Sequence, residues 1–385
     1  MTIKSTGSLS FLNDIESEFG DTSTRSLGSY RSSDSNFQNK NVGTLSNLPL
    51  DDGIPTSGEI KFSDFYGKKL NMVVDYYSGG TEIKRDLGAT TMNARNRYNN
   101  QPSKVTVVGG FRARPALNAW QGGKRVIVNV NKKIGGNNDG NISDVALRTG
   151  DWPGGTELQV EIGANGKILG AGGDGGNPST YIHSPPTPGF PGGNGTSALG
   201  VEYPAVINNN GVLRCGFGGG GGGSGGAIDP NSSPTDYGRT GSGGGGGAGL
   251  PAGVGGSKSG QSWRTGSFHP GGDEDTPTGQ SYNGKAGENG TEDTGGSGGD
   301  VFPYDPGGSV FVRGGKGGNG GDEVDPPQSG GTAEQSHPTS SYAAAKPGGA
   351  AGNNGKSIYY TNSSVQAGST LIGSESGGIG VGAID

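Results

Sequence analysis

What the chain has little of narrows its reading first. It holds one cysteine, Cys215, in 385 residues, so no intramolecular disulfide framework is open to it, which fits assembly in a reducing cytoplasm. Hydrophobic residues make up only 28% of the sequence, too few for one conventional core over this length. They concentrate before about position 170, so a core is expected there and not beyond. No apolar run reaches the ~18 residues of a membrane-spanning helix, and Met1-Thr2-Ile3-Lys4-Ser5-Thr6-Gly7 does not read as a secretory signal. The Asn-x-Ser/Thr triplets at Asn141, Asn194, Asn231, Asn289 and Asn362 therefore carry little weight as glycosylation sites.

Chemistry-bearing clusters are scarce as well. His183, His269 and His337 are far apart and each lies beside proline or Ser-Pro, the setting of loop residues rather than metal ligands. Asp273-Glu274-Asp275 and Asp322-Glu323-Val324-Asp325 read as solvated loop charge before they read as cation sites. The stretch Ala350 to Ser357 falls short of a phosphate-binding loop, having Ala350 where glycine is needed and a strand pattern where a helix should follow. No Ser/His/Asp or paired-carboxylate arrangement stands out. No cofactor, no metal and no catalytic activity are expected.

The net charge of −6 is unevenly spread. Residues 1–67 carry 5 basic and 9 acidic side chains, residues 68–160 carry 14 and 7, and residues 161–385 carry 10 and 19. The basic middle has no clustered stripe, so solvated strand faces explain it better than nucleic acid.

What is abundant is glycine, 85 residues, with 22 prolines. The densest blocks are the pure runs Gly218 to Gly223 and Gly243 to Gly247, with shorter blocks at Gly172 to Gly176, Gly295 to Gly299 and Gly314 to Gly321. Two blocks are announced alike. Val160-Glu161-Ile162, then Asn165-Gly166-Lys167-Ile168, leads into Gly170; Val206-Ile207, then Asn210-Gly211-Val212-Leu213, leads into Gly216. Each is a hydrophobic pair, an Asn-Gly turn, a second pair and then glycine, an internal repeat. A flexible linker is one use of such composition, but the blocks are interrupted by aromatic and proline-rich segments, as in 177–188 and 261–282, which favours order. Collagen is excluded because no strict Gly-X-Y period persists. The remaining ordered form is a bundle of polyproline II-type helices whose outward-pointing amides bond between neighbours where no Cβ intervenes.

Before the glycine half, Ser10 to Phe19 reads as a short helix capped by Ser10, with Phe11, Leu12, Ile15 and Phe19 on one face and Gly20 ending it. The piece Gly7-Ser8-Leu9-Ser10-Phe11 to Ile15 recurs as Gly58-Glu59-Ile60-Lys61-Phe62-Ser63-Asp64-Phe65, with a weaker echo at Gly43 to Leu48. From Leu70, alternating runs at 104–108, 125–130 and 157–162 between glycine turns suggest an antiparallel β-sandwich. Ser357 to Tyr360 and Thr370 to Ile372 are candidate strands that return the chain and close the bundle.

The N-terminal pieces resemble the opening segments of virion structural proteins from tailed phages, cyanobacterial phages especially. The glycine half resembles the adhesin at the tip of the long tail fibres of T-even-like phages, in which glycine-rich motifs on a polyglycine II bundle alternate with variable host-recognition segments. The expected fold is mainly β and irregular: residues 1–67 a virion-attachment segment, 68–162 an antiparallel sandwich, 163–385 a glycine-rich adhesin bundle. The resemblance implies a virion tail protein that binds other tail proteins through its N-terminus and a host surface glycan or outer-membrane protein through displayed loops, with homo-oligomerisation open. Nucleic-acid binding and membrane insertion are not expected. Receptor-binding candidates are the aromatics and histidines between glycine blocks: Tyr181, His183, Phe190, Tyr237, Trp263, Phe268, His269, Tyr282, Phe302, Tyr304 and Tyr342. Phe11, Ile15, Phe62 and Phe65, with too little chain around them to bury them, are the attachment candidates. A structural virion component with inert loops, a glycan-degrading tailspike and an ice-binding bundle are the rivals, the last disfavoured by the irregular loops.

Overall fold

The computed structural model describes residues 3–19, 26–31, 40–42, 45–48, 50–51, 53–69, 71–76, 82–83, 85–86, 105–108, 125–150, 152, 154–179, 188–228, 237–239, 241–258, 261–264, 267–270, 284–301, 312–335 and 346–384. The chain is mainly β, as expected.

The N-terminal residues bury a small aromatic core. Ile15, Phe19, Tyr30 and Phe65 are fully buried, with Ile3, Leu50 and Ile54 around them. Strands β1 (Lys40–Val42) and β2 (Leu45–Leu48) pair antiparallel, so residues 45–48 of the weaker echo give strand rather than helix. Ser10 caps the first helical stretch as expected, accepting from the Asn13 amide at 3.2 Å while its own amide donates to Asp14 Oδ2. Lys61 and Asp64 repeat that second bond, the Lys61 amide donating at 2.7 Å. The first copy is one residue longer and absorbs the insertion as a wide turn, in which the Ile15 amide reaches back to the Ser10 carbonyl. Ile15 thereby takes the same buried place as Phe65, Leu9 and Ile60 both pack on the core, and Phe11 meets Phe62 edge-on at 6.3 Å.

The two copies of the repeat therefore pack on each other. This corrects the expectation that all four attachment candidates are left uncovered: Ile15 and Phe65 are interior, Phe11 is partly buried, and only Phe62 is largely open at 42%. Leu12, expected on the buried face, points outward at 51% exposure. Gly20 lies outside the described residues. Phe65→Ala should cost this core about 3–5 kcal/mol. Hydrogen exchange should speed up across residues 3–69 and stay unchanged in the strands that follow.

Those strands form three parallel sheets, not an antiparallel sandwich. β3 (Met72–Tyr76), β7 (Arg125–Val130), β10 (Glu157–Ile162), β13 (Ala205–Asn209) and β22 (Thr370–Gly373) stack parallel, with β6 (Val105–Val108) antiparallel on the β3 edge. A second sheet stacks β4 (Glu82–Ile83), β8 (Lys133–Gly135), β11 (Lys167–Leu169) and β14 (Val212–Arg214). A third stacks β5 (Arg85–Asp86), β9 (Val145–Arg148), β12 (Ser197–Val201), β21 (Ile358–Tyr360) and β23 (Ile379–Val381). Each coil of chain gives one strand to each sheet in turn, which builds a three-sided prism. Its interior is filled by ladders of like residues: Val128, Val160 and Ile207 on one side, Ile134, Ile168 and Leu213 on the next, Leu147, Leu199 and Ile358 on the third, all buried.

The sequence repeat is this stack. Gln159 pairs with Val206 and Lys167 with Val212, and the Asn-Gly turns lie one above the other, the Gly166 carbonyl accepting from the Val212 amide at 3.0 Å. Val126, Val128 and Val130 do share one side, as expected, facing the core. The return strands at 358–360 and 370–373 add to the prism. The expected boundary at 162/163 falls inside the same core.

The glycine segments are inserted at one corner, between the second and third sheets. The β11–β12 connection supplies 170–196 and the β14–β21 connection supplies 215–357. Described residues of these connections run as ten extended segments: 170–179, 188–196, 215–224, 241–250, 253–258, 284–291, 295–301, 314–321, 327–333 and 346–355. Their bonding recurs every third residue. Gly216, Gly219 and Gly222 donate to the carbonyls of Thr196, Gly193 and Phe190; Phe217, Gly220 and Gly223 donate to Ala248, Gly245 and Ser242. Gly221 and Ser224 donate to Gln328 and Gly331, and Gly218 to Asn354 Oδ1. The carbonyls of 216–224 accept in the same rhythm from 349–355, 173–179 and 315–321, and every one of these bonds is 2.7 to 3.1 Å long.

Segment 215–224 is thus enclosed by six neighbours, donating to three and accepting from three. Segment 241–250 is enclosed likewise by 170–176, 217–223, 253–256, 285–291, 296–299 and 315–321. The other eight form the perimeter. This explains where the pure glycine runs fall: the middle of a segment enclosed on all sides has no outward position, so every residue of 218–223 and 243–247 must lack Cβ, and buried Phe217, Ser224, Ser242 and Ala248 stand only toward the segment ends. A Cβ on Gly220 would stand 2.0 Å from the Gly318 carbonyl oxygen. Perimeter segments keep an outward position, and there Asp174 and Asn177, Val254 and Ser257, Thr294, Ser297 and Asp300, Lys316 and Asn319 stand exposed at steps of three.

Candidate functional site

The lattice has two ends of different chemistry. At the prism end the segments are joined by tight turns, 291–294 and 322–325, and by residues 249–252. At the far end the connections are 180–187, 225–240, 259–283, 302–313 and 334–345. All five join segment ends remote from the prism, because paired segments alternate outward and back: Ser179 bonds Gly223, Ser242 bonds Gly315, Ser224 bonds Gly331. Ten of the eleven receptor-binding candidates belong to those five connections.

The described parts of the connections are strands. β15 (Gly226–Ile228), β16 (Tyr237–Arg239), β17 (Gln261–Arg264) and β18 (Ser267–Pro270) form an antiparallel sheet. Register sets Trp263 opposite Phe268, Ser262 opposite His269 and Tyr237 opposite Arg264. β19 (Val312–Arg313) and β20 (Glu334–Gln335) pair beside it. Four sequence candidates, Tyr237, Trp263, Phe268 and His269, are therefore brought into one sheet. Phe190 is the eleventh candidate; it sits on a perimeter segment near the same end, 55% exposed. Tyr181, His183, Tyr282, Phe302, Tyr304 and Tyr342 lie outside the described residues, as do His337 and Asp273 to Asp275. Among the described residues there is no group of acidic, histidine and cysteine side chains arranged to hold a metal ion, and no helix long and apolar enough to cross a membrane.

The prism end is held by charge. Glu292, in the 291–294 turn, lies between Lys133 and Lys167, which are neighbours in register on the second sheet; its bond to Lys167 is 2.6 Å. Arg214, nearly buried, bonds the Glu292 carbonyl at 2.5 Å and Asp293 at 2.8 Å. Burial pushes the Glu292 carboxyl up, but the hydrogen bonds from Lys133 and Lys167 outweigh it and hold the group below its ordinary value. The Arg214 hydrogen bond holds Asp293 low in the same way. In Asp322 burial is outweighed by amides of Asp325, Val324 and Gly295, so this carboxylate closes its turn. Cys215 is buried where lattice meets prism, its thiol pushed up to about 12 by burial.

Groups with depressed values stabilise above their unfolded pKa, and that stability is lost as pH falls through the folded one. The junction should therefore hold from neutral pH down and fail only below the ordinary carboxylate range. Glu292→Gln should destabilise the protein at neutral pH by about 1 kcal/mol, read as a lower melting temperature, given the partial exposure of both lysines. Its acid-side fall should be shallower than that of the parent, which a melting series across pH would record.

The phage tail fibre adhesin Gp38 family matches residues 96–377, the whole lattice and the prism strands from β6 to β22. The chain belongs to this family. No curated protein and no solved structure matches it. The adhesin's residues 1–95, with the N-terminal core, fall outside the matched range. Membership places the protein in the tail fibre of a phage virion.

Sequence reasoning missed one class of residue in the adhesin. Asp174, Asn177, Asn194, Asn289, Asn319 and Asn354 each accept, through a side-chain oxygen, from a backbone amide of an adjacent segment at 2.8 to 3.0 Å. Amides that have no carbonyl to meet, five on perimeter segments and that of Gly218 in an enclosed one, are satisfied this way. For all but Asn177, which precedes Pro178, the signal was legible as Asn-Gly or Asp-Gly inside glycine blocks, where the pair does not make a turn.

Proposed function

We propose that the adhesin recognises the host cell surface through the five far-end connections, displayed on a stiff lattice of polyproline II-type helices. The observation that carries this is topological: the aromatic-bearing connections all join segment ends away from the prism, and the turns at the prism end carry charge instead. The three-residue recurrence of bonding partners and the six-neighbour enclosure support the helix type. Loops that combine Tyr, Trp and Phe with Ser, Thr and Asn suit large rigid contacts with adaptable hydrogen bonds. A host surface glycan or an outer-membrane protein is the fitting receptor.

In this reading the N-terminal residues join the adhesin to other tail proteins, with Phe62 and Phe11 the remaining accessible candidates. Recognition is adhesion without catalysis; release of reducing sugar from host envelope by the pure protein would overturn that part. Purified adhesin added before the phage should block adsorption in a saturable manner. Undiminished adsorption at saturating protein would favour a structural component with inert loops.

A further inference from the structure

The lattice is rich in a dipeptide that ordinarily ages. In Asn-Gly the glycine amide nitrogen attacks the Asn Cγ, a C–N bond forms, the Cγ–Nδ2 bond breaks and ammonia leaves. The cyclic imide then takes up water to give aspartate or isoaspartate. Asp-Gly reaches the same imide by losing water. Isoaspartate places one extra carbon in the backbone, which would put a segment out of step with neighbours that meet it every third residue.

Five such pairs lie on perimeter segments, and all are held in one way. Gly175, Gly195, Gly290, Gly320 and Gly355 donate their amides to the carbonyls of Val254, Asn353, Gly253, Gly296 and Gly216, at 2.7 to 2.9 Å. The preceding Asp174, Asn194, Asn289, Asn319 and Asn354 accept from the amides of Val254, Asn353, Gly255, Gly298 and Gly218, at 2.8 to 3.0 Å. Each pair grips one adjacent segment at two points. The nitrogen that would attack faces one carbonyl, and the side chain it would attack is drawn to a different amide. The turn pairs Asn165-Gly166 and Asn210-Gly211 differ: Gly166 and Gly211 donate within their own turns, to the Gly163 carbonyl and Asn209 Oδ1, and among the described residues neither asparagine side chain accepts from an amide of a neighbouring segment.

We propose that these five pairs are clamps that block imide formation, so that the lattice resists deamidation and isoaspartate formation for as long as it stays folded. Cyclisation then requires local opening, and in lattice buried on several sides opening is rare. The test is a timed peptide map of the intact protein held at mildly alkaline pH, native and in denaturant. Native protein should lose Asn194, Asn289, Asn319 and Asn354, and isomerise Asp174, about a hundredfold or more slowly than unfolded protein. Asn165 and Asn210 should convert first in the native protein and serve as its internal clock. Clamp sites that convert in the folded protein as fast as in denaturant, or keep pace with Asn165 and Asn210, would overturn the proposal.

Discussion

Gly220→Val should abolish folding of the lattice. The residue is in the middle of an enclosed segment, donating to Gly245 and accepting from Gly176, with Gly318 and Asn319 carbonyls where its Cβ would project. None of these is the far end of a flexible side chain, so nothing can swing aside. Making room means separating two segments and breaking a row of amide bonds, each worth about 1 kcal/mol net and more when a partner is left buried and unsatisfied. The loss should exceed about 4–5 kcal/mol, the range reserved for gross disruption. Ser297→Val, at an outward perimeter position, should leave the melting temperature nearly unchanged. Thermal denaturation of the two variants beside the parent reads this directly.

Trp263→Ala should do the opposite. If the β17–β18 hairpin is part of the receptor surface, removing the large ring of Trp263, which pairs in register with Phe268, should weaken cell binding by about 2 kcal/mol or more, as for a central interface aromatic. The lattice should melt as before, since none of the bonds that enclose 215–224 and 241–250 involves residues 261–270. Tyr237→Ala, on β16 opposite Arg264, belongs to the same sheet and should behave alike.

The glycine lattice was legible in sequence because its physics is local. Only an enclosed segment needs glycine at three consecutive positions, and a perimeter segment announces itself by one side chain in three. The prism was not legible in the same way. Arg125 to Val130 and Glu157 to Ile162 alternate equally well in parallel and antiparallel sheets, and Asn-Gly at 165–166 and 210–211 looks like a hairpin turn. The likeness of Val128-Asn129-Val130, Val160-Glu161-Ile162 and Ile207-Asn208-Asn209 was the better guide, since stacked coils set like on like. In the N-terminal core the repeat was visible. Its packing against its own second copy was hidden by the extra residue between Phe11 and Ile15.

The central claim is that glycine segments are frame and far-end connections are recognition surface. Melting temperature and host-cell binding, measured together on Gly220→Val, Ser297→Val, Tyr237→Ala and Trp263→Ala, test it most directly. The account predicts that Gly220→Val loses its melting transition and binding together, that Tyr237→Ala and Trp263→Ala lose binding at an unchanged melting temperature, and that Ser297→Val keeps both. Far-end variants that unfold the lattice, or a Gly220→Val protein that melts like the parent and loses only binding, would contradict it.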